Sequence, residues 1–346
     1  MTEDCRHRLQ QIPQPVRSGM RIMYLAKHAC GTGVPDPRDG NHAIYHHELR
    51  ETLKTLGLNV FAANSYDVLH EAPPVDFVLP LLNRGGFQNS EMLAPLLLER
   101  HGKPYLGASA ILRGIADDKH AAKMTALHAG VPTMDWQVYR RGGQSIERPH
   151  FRPDRYVVKP NASSASWGLF VGASWSDAET HVRTLLAQGH DVIVEAWQPE
   201  YDIGVPVIGG ADGGPVILPP LRYRPPRGKV YRSYEDKRGL SRAGEEDDLR
   251  PVAAPSLRAE LERLTLMVAR EFWPFDYGRF EYRHDSRTGE LRFMEVNLSC
   301  NLWSKKTIAR SAASVGIEYP RLIEGILGHS LARQGLLTPR REYLAA

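Results

Sequence analysis

The chain has 346 residues, which is enough for two or three packed domains. Hydrophobic residues make up 42% and charged residues 24% of it, the usual balance of a soluble globular protein. Its 44 basic and 40 acidic residues nearly cancel and no long Lys/Arg run occurs, so a nucleic-acid partner is not expected.

The N-terminus is polar, and no apolar run approaches the roughly 18 residues that span a bilayer. Three cysteines without a CxxC spacing indicate neither a disulfide framework nor a zinc site. A cytoplasmic protein with no membrane partner is therefore expected.

In chain order, residues 1–19 are predicted to be a flexible tail. Strand and helix patterns then alternate over residues 20–108, which predicts an open α/β domain. Its predicted strands are RIMYLA, LNVFAA and VDFVLPLL, and its predicted helices are HAIYHHELRETLKTLG and SEMLAPLLLERHG.

Two further units are predicted. Residues 109–197 begin with a helix at 117–132, which has an acidic start and a Gly-Val-Pro stop, and continue with short strands around the helix DAETHVRTLLAQG. Residues 198–335 contain strands, a long polar loop at 222–248 and three helices, and residues 336–346 form a second tail. The overall fold class is α/β.

The segment GRFEYRHDSRTGELRFMEVN predicts a β-hairpin, because charged and apolar residues alternate on both sides of a polar turn. Strict alternation would place Phe293, Glu295 and Asn297 on one face of the return strand and Met294 on the other. Glu281 of the first strand can join Glu295 and Asn297, and such an oxygen set suits Mg²⁺ beside a polyphosphate. The alternative is an ordinary solvated strand face.

Two other segments carry candidate phosphate contacts. Lys159 ends a predicted strand and precedes the small-residue turn NASSASWG, which could cradle anionic oxygens or be a plain hairpin turn. The loop 222–248 is rich in Arg and Lys and could close over a triphosphate, or be a solvated loop. Neither a P-loop nor a GxGxxG fingerprint occurs.

Taken together, seven segments resemble the ATP-grasp ligases, and specifically the D-alanine–D-alanine ligase family, over about residues 75–330. The resemblance rests on their order and approximate spacing rather than on any one of them. In chain order they are DDKHAAKMTALHAGVP, YVVKPNASSASWG, VIVEAWQPEYDIGVPVIG, YRSYEDKR, GRFEYRH, FMEVN and ASVGIEYPRLIEGIL.

The resemblance implies an ATP-grasp fold, with an N-terminal α/β domain and two ATP-grasp subdomains that hold ATP between them. By position, Lys119 and Lys159 match the lysines that contact the ATP phosphates. Ser166 matches a serine of the phosphate-covering turn, and Lys237 matches the lysine of the lid.

The adenosine part of the nucleotide is implied to lie elsewhere in the same cleft. Glu195 matches a carboxylate near the adenine, and Trp197 and Met294 match walls of the base pocket. Asp202 stands where the family usually has a Glu on the ribose hydroxyls.

The same resemblance makes Glu281, Glu295 and Asn297 the ligands of Mg²⁺, or alternatively of Mn²⁺. Arg279 matches the arginine that steadies the acyl phosphate. It is therefore a catalytic candidate together with Ser166 and Lys237.

The predicted substrate contacts depart from the family's pattern. Cys300 and Asn301 replace a Pro-Gly turn, and Lys306 stands near the place of a serine that helps to hold the second substrate's carboxylate. In the N-terminal domain the family's segment that holds the first substrate's amino group is absent. Asp39, or alternatively Asp36, could take over the role of the acidic residue in that segment.

A second departure in that domain concerns the family's His-Gly pair, which Asn-Arg-Gly-Gly replaces. Arg84 of this segment could contact an acidic group of a substrate.

The leading expectation is an ATP- and Mg²⁺-dependent ligase that joins a small carboxylate to an amine through an acyl phosphate. Because both substrate segments depart from the family, a specialised ligase is preferred over cell-wall D-Ala-D-Ala synthesis. The alternatives are D-alanine–D-alanine ligase proper, an ATP-grasp small-molecule kinase and a non-catalytic nucleotide-binding module. The resemblance also implies a homodimer.

Overall fold

The computed structural model describes residues 2–71, 74–83, 89–143, 145–199, 201–224 and 248–337. Within them the strands form a parallel sheet near the N-terminus, a four-stranded antiparallel sheet and a larger antiparallel sheet. We call these the N-terminal, small and large sheets.

The N-terminal sheet is parallel, with strand order β2-β1-β3. Helix α3 ends where Gly57 adopts a φ of +76°, which few residues other than glycine adopt at low cost. The predicted alternation of strand and helix is present here. The elements are β1 (Arg21–Leu25), α3 (His42–Thr55), β2 (Asn59–Ala63), α4 (Val68–Glu71), β3 (Phe77–Pro80) and α5 (Leu93–Arg100).

The first 19 residues differ from the flexible tail that their polarity suggests. They form α1 (Thr2–His7) and α2 (Gln14–Gly19), and Leu9, Ile12 and Val16 are buried in a hydrophobic cluster. The apolar residues of this segment are too few to give a periodic pattern in the sequence. They are buried because they pack against apolar residues from distant parts of the chain.

Two consecutive helices follow the N-terminal domain, α6 (Ala110–Asp117) and α7 (Lys119–His128). The sequence pattern predicts only the second, whose acidic start is the N-cap Asp118 with a side chain that accepts from Ala121 N at 2.9 Å. Both helices pack against the large sheet. Their buried alanines belong to the same hydrophobic cluster as Phe280 and Phe293.

The small sheet has strand order β4-β7-β5-β6, and its neighbouring strands are antiparallel. Helix α8 (Trp175–Ala187) covers it and begins at Ser174, whose hydroxyl accepts from Asp177 N at 3.1 Å. The strands are β4 (Trp136–Tyr139), β5 (Tyr156–Pro160), β6 (Phe170–Gly172) and β7 (Val192–Ala196).

The large sheet has strand order β11-β10-β8-β12-β13, with the short β9 paired to β8. Three helices pack around it, α9 (Pro255–Phe272), α10 (Thr307–Ser314) and α11 (Tyr319–Arg333). Its strands are β8 (Tyr201–Gly209), β9 (Pro215–Ile217), β10 (Leu221–Arg224), β11 (Asp248–Pro251), β12 (Tyr277–His284) and β13 (Leu291–Asn297).

Strands β12 and β13 form the predicted hairpin, but a bulge interrupts its register. Glu281 pairs with Glu295, whereas the next residue, Tyr282, pairs with Phe293, so Met294 is the extra residue. Phe293 is consequently fully buried in the core, and Met294 joins Glu295 on the other face. Strict alternation, which placed Phe293 beside Glu295 and Met294 opposite, is wrong at this point.

None of the helices in the described part of the chain has both the length and the apolar character of a membrane span.

Candidate functional site

A cleft lies between the small sheet and the β12–β13 hairpin. Its empty space, counted out to solvent, is about 790 Å³. Nine of the predicted site residues line it. They are Lys119, Lys159, Ser166, Glu195, Trp197, Asp202, Glu281, Met294 and Glu295.

A buried carboxylate holds two ammonium groups on one side of the cleft. Glu195 of β7 is 2% exposed. The Nζ atom of Lys159 lies 2.8 Å from its Oε2, and that of Lys123 lies 3.0 Å from its Oε1. Each carboxylate oxygen therefore has a lysine of its own. Burial lowers the pKa of Lys123 below its ordinary value, and the adjacent Glu195 opposes that shift.

The pKa values of these groups follow from burial and from their neighbours. Burial raises the pKa of Glu195, but the two lysines outweigh burial and bring it below its ordinary value. Burial lowers the pKa of Lys159, but Glu195, Glu295 and Glu281 together raise it above the ordinary value. Lys159 is thus a permanent cation among three carboxylates.

The hairpin supplies carboxylates to the opposite wall. Glu281 and Glu295 are direct cross-strand partners, and Asn297 Nδ2 lies 3.4 Å from Glu295 Oε1. Lys119 Nζ lies 3.7 Å from Glu295 Oε2. Lys119 and Lys159 therefore line the same cleft as Glu281 and Glu295, and charges of both signs that a polyphosphate with its metal ion would need are present there.

This oxygen set fits Mg²⁺ held together with a phosphate. Among the described residues no group of three or more His, Cys, Asp or Glu could hold a metal ion. Glu281, Glu295 and the amide oxygen of Asn297 would supply few ligands, and Mg²⁺ commonly takes its remaining ligands from phosphate and water.

Arg279 stands beside the metal-ligand candidates rather than in the cleft wall. It pairs in register with Asn297 and forms an ion pair with Glu281. Burial lowers the pKa of Arg279, but Glu281 and other neighbours raise it above the ordinary value, so the guanidinium stays charged. Glu281 could therefore bind a metal ion with one carboxylate oxygen while it remains paired with Arg279.

The small-residue turn after β5 covers part of the cleft. Ala165 and Ser166 both adopt left-handed φ angles, of +56° and +61°, which cost energy in residues with a Cβ. Lys119 Nζ donates to the carbonyl oxygen of Ser163 at 2.9 Å. The turn is therefore held by one of the predicted phosphate lysines.

The far end of the cleft is built around an aromatic ring. The guanidinium of Arg283 lies 4.5 Å from the centroid of the Trp197 ring, donates to Gln198 O and forms an ion pair with Asp202. Trp197 and Met294 both line the cleft here. This end has the flat apolar surface and the carboxylate that a nucleoside would require.

The predicted substrate residues that the structure describes lie outside the cleft lining. They are Asp39, Cys300, Asn301 and Lys306. Asn301 Oδ1 accepts from Trp303 N at 2.8 Å, and the ammonium of Lys306 lies 5.9 Å from the Trp303 ring centroid. Cys300 is buried, and burial raises the pKa of its thiol to about 12, so it is not an ionised nucleophile.

Asp39 is paired with two basic side chains of its own domain. Its Oδ2 lies 2.8 Å from Lys27 Nζ and 2.9 Å from His28 Nε2. Two further predicted residues, Arg84 and the lid lysine Lys237, lie outside the described residues, as do residues 225–247 of the predicted lid.

Sequence reasoning missed two charged residues at this site, Lys123 and Arg283. Lys123 stands one helical turn after Lys119, so helical spacing could have placed both on one face of α7. Arg283 is two residues after Glu281 on the same strand, but its contact with Trp197 depends on tertiary structure that spacing does not reveal.

Comparisons with known proteins give matches to one family. The family model described as D-ala D-ala ligase C-terminus matches residues 127–328. A D-alanine–D-alanine ligase from Marinomonas is 26% identical over 289 residues, which cover 80% of this chain and 86% of that protein. One from Desulfovibrio desulfuricans is 27% identical over 276 residues, which cover 78% and 84%.

A solved structure shows the same fold. The D-alanine–D-alanine ligase from Bacillus anthracis, complexed with ATP, matches with a TM-score of 0.71 at 20% identity and covers 91% of this chain and 99% of its own. The predicted ATP-grasp fold class is confirmed.

Proposed function

This chain belongs to the D-alanine–D-alanine ligase family, and on that premise we propose that it is an ATP-dependent ligase that joins a carboxylate to an amine. The observation that carries the proposal is the cleft that Lys119 and Lys159 line together with Glu281 and Glu295. The B. anthracis relative, which has this fold, was solved with ATP. We assign ATP to the cleft, with its base toward Trp197 and its phosphates toward the lysines.

The side chains of the cleft then supply the charge neutralisation and the positioning that phosphoryl transfer needs. Lys119 and Lys159 neutralise phosphate oxygens, and the turn at Ser166 covers them and excludes water. A divalent cation held by Glu281, Glu295 and Asn297 would supply charge neutralisation of the transferred group.

The carboxylate substrate is itself the nucleophile, so the chain needs no nucleophilic side chain. Its attack on the γ-phosphate gives an acyl phosphate and ADP. The amine substrate then attacks the acyl carbon, and phosphate leaves as an amide bond forms. Arg279, whose charge is fixed by its surroundings, stabilises the oxyanion that develops in the second step.

We propose further that the substrates differ from two D-alanines. Asp39 is already paired with Lys27 and His28, so its carboxylate is a poor receptor for a substrate ammonium group. The buried Cys300 and the short-range contact of Asn301 with Trp303 build the segment after Asn297 from residues unlike the family's Pro-Gly turn. A specialised amino-acid-like pair suits this site better.

A hydroxylamine trap tests the proposal without knowledge of the amine. The enzyme is incubated with ATP, Mg²⁺ and hydroxylamine across a panel of D- and L-amino acids and other small carboxylic acids. One acid should give a hydroxamate and stoichiometric ADP. Glu295→Gln should lower that rate by roughly two orders of magnitude, because a ligand of the phosphate-bound cation is weakened.

Glu290→Gln is the matched control, because Glu290 is exposed in the turn of the same hairpin and pairs only locally with Arg292. Its rate should equal that of the unaltered protein. ATP-dependent phosphorylation of a small molecule without hydroxamate would instead identify a kinase. A hydroxamate from D-alanine at the highest rate would overturn the specialised substrate but not the ligase.

A further inference from the structure

Lys123 is a buried cation that the proposed reaction does not require to touch the nucleotide. It is completely buried. It lies on α7 one turn after Lys119, and it does not line the cleft. A lysine without exposure is rare unless its ammonium is paired. Its ion-pair partner is Glu195, whose other oxygen holds Lys159.

The shared carboxylate creates a competition for Lys159. An ammonium group that binds a phosphate must give up part of its interaction with Glu195. If Glu195 had no other partner, this would leave a buried carboxylate without a cation, which is strongly unfavourable. Because Lys123 stays in place, Glu195 keeps one cation while Lys159 turns to the phosphate.

We propose that Lys123 is a positioning residue for the nucleotide phosphates, which neutralises Glu195 so that Lys159 is free to bind them. The inference rests on the proposed ATP-binding function and extends it to a residue outside the cleft. Lys123 acts on the phosphates through Glu195 and Lys159 rather than by direct contact. Removal of the Lys123 ammonium is therefore expected to weaken the binding of the phosphates and to leave the binding of the base and the ribose unchanged.

A second set of contacts makes Lys123 a link between the two walls of the cleft. Its ammonium donates to Thr133 Oγ1 at 2.9 Å, and that hydroxyl donates to Phe293 O at 2.8 Å. Phe293 adjoins the bulge that presents Met294 and Glu295. The same ammonium therefore holds Glu195 of the small sheet and, through Thr133, the hairpin of the large sheet.

The test compares ligands with and without phosphates. The dissociation constants of ADP with Mg²⁺ and of adenosine are measured by titration calorimetry for the unaltered chain and for Lys123→Met. The ADP constant should rise by about 10- to 100-fold, because a charged hydrogen bond to phosphate is weakened. The adenosine constant should stay within about twofold, since the base end of the cleft is unchanged.

The double variant Lys123→Met/Glu195→Gln separates charge from packing. Removing the carboxylate releases Lys159 again, so the ADP affinity should return to within about threefold of the unaltered value. A general loss of structure would not be reversed in this way. If Lys123→Met alone does not fold, the double variant still decides: weak ADP binding with normal adenosine binding overturns the proposal.

Lys54→Met is the matched control, because Lys54 is half-exposed on α3 and pairs with Glu51. It should change neither constant. Equal losses of ADP and adenosine in Lys123→Met would show a structural role and overturn the inference. No ADP binding by the unaltered chain would contradict the proposed function instead, and so the two failures are distinguishable.

Discussion

Arg283 shows how one side chain can shape the base end of the cleft. It is 5% exposed, and its guanidinium covers Trp197, donates to Gln198 O at 3.1 Å and pairs with Asp202. A planar group with several fixed donors can make these contacts at once, whereas an ammonium group cannot. The orientation of the indole therefore depends on an arginine at this position.

Arg283→Lys should keep the charge but lose the fork of donors and the stacking on Trp197. We expect the free energy of unfolding to fall by about 2 kcal/mol, since Gln198 O loses a charged donor in a buried place. Adenosine and ADP should both bind more weakly, unlike in the Lys123 variant. Urea unfolding followed by circular dichroism and the same calorimetry measure these effects.

The matched control is Arg263→Lys on α9, whose pair with Glu260 is exposed and should leave the free energy of unfolding almost unchanged. An unfolding free energy for Arg283→Lys equal to that of the control would contradict the proposed role of the guanidinium.

A site residue could be predicted from the sequence when its role depends on neighbouring residues in the chain, and not when it depends on contacts with distant segments. Lys159 and Glu295 could be found because each belongs to a short motif with a recognisable chemical character. Arg283 could not, because its partners lie in distant segments. Helical spacing could have placed Lys123 beside Lys119, but its burial against Glu195 could not be foreseen, because a buried lysine looks like a surface one in the sequence. The enclosure of Asp39 by Lys27 and His28 likewise depends on how its loop folds.

At the scale of elements, the β12–β13 hairpin determines which side chains reach the cleft. Period-two reasoning predicts both strands and brings Glu281 and Glu295 together from adjacent strands, and in the structure the two residues are direct cross-strand partners. It fails at Met294, because a bulge adds one residue to one strand only and inverts the facing of everything beyond it. The bulge lets Phe293 enter the core while Met294 and Glu295 both face the ligand side.

Deletion of Met294 should convert the bulged hairpin into a regular one. Glu281 would still pair with Glu295 and Tyr282 with Phe293, so the chain should fold with a melting temperature within about 5 °C of the original. Adenosine affinity should fall by about tenfold, because an apolar wall of the base pocket is removed. Thermal unfolding and calorimetry provide the two readouts.

Deletion of Val296 is the contrasting variant, because it would place Asn297 at a core position and turn its polar side chain inward. Its melting temperature should fall by more than about 10 °C. If both deletions destabilise the chain equally, the bulge is not the independent insertion that we describe.

At the scale of the whole molecule, one carboxylate joins segments from distant parts of the chain. Asp276 is completely buried just before β12. Its side chain accepts from Gly107 N at 2.6 Å, Ser330 Oγ at 2.6 Å and Arg333 Nε at 2.9 Å. Gly107 ends the N-terminal domain, and the other two donors lie on α11.

The same regions share one hydrophobic cluster, which includes Tyr24 of β1, Leu49 of α3, Ile208 of β8 and Leu327 of α11. The alternation of strands and helices predicts separate units, and the strands are indeed divided among separate sheets. Their mutual packing escapes prediction because it joins residues that are up to about 300 positions apart.

Asp276→Asn should therefore weaken the contact between the N-terminal domain and the rest of the chain. An amide cannot neutralise Arg333 and presents a donor where Gly107 N and Ser330 also donate, so we expect the free energy of unfolding to fall by about 3 kcal/mol or more. Glu51→Gln, in an exposed pair with Lys54 on α3, should change it by less than about 1 kcal/mol. Urea unfolding compares the two, and an equally small change in Asp276→Asn would mean that apolar packing alone holds the N-terminal domain in place.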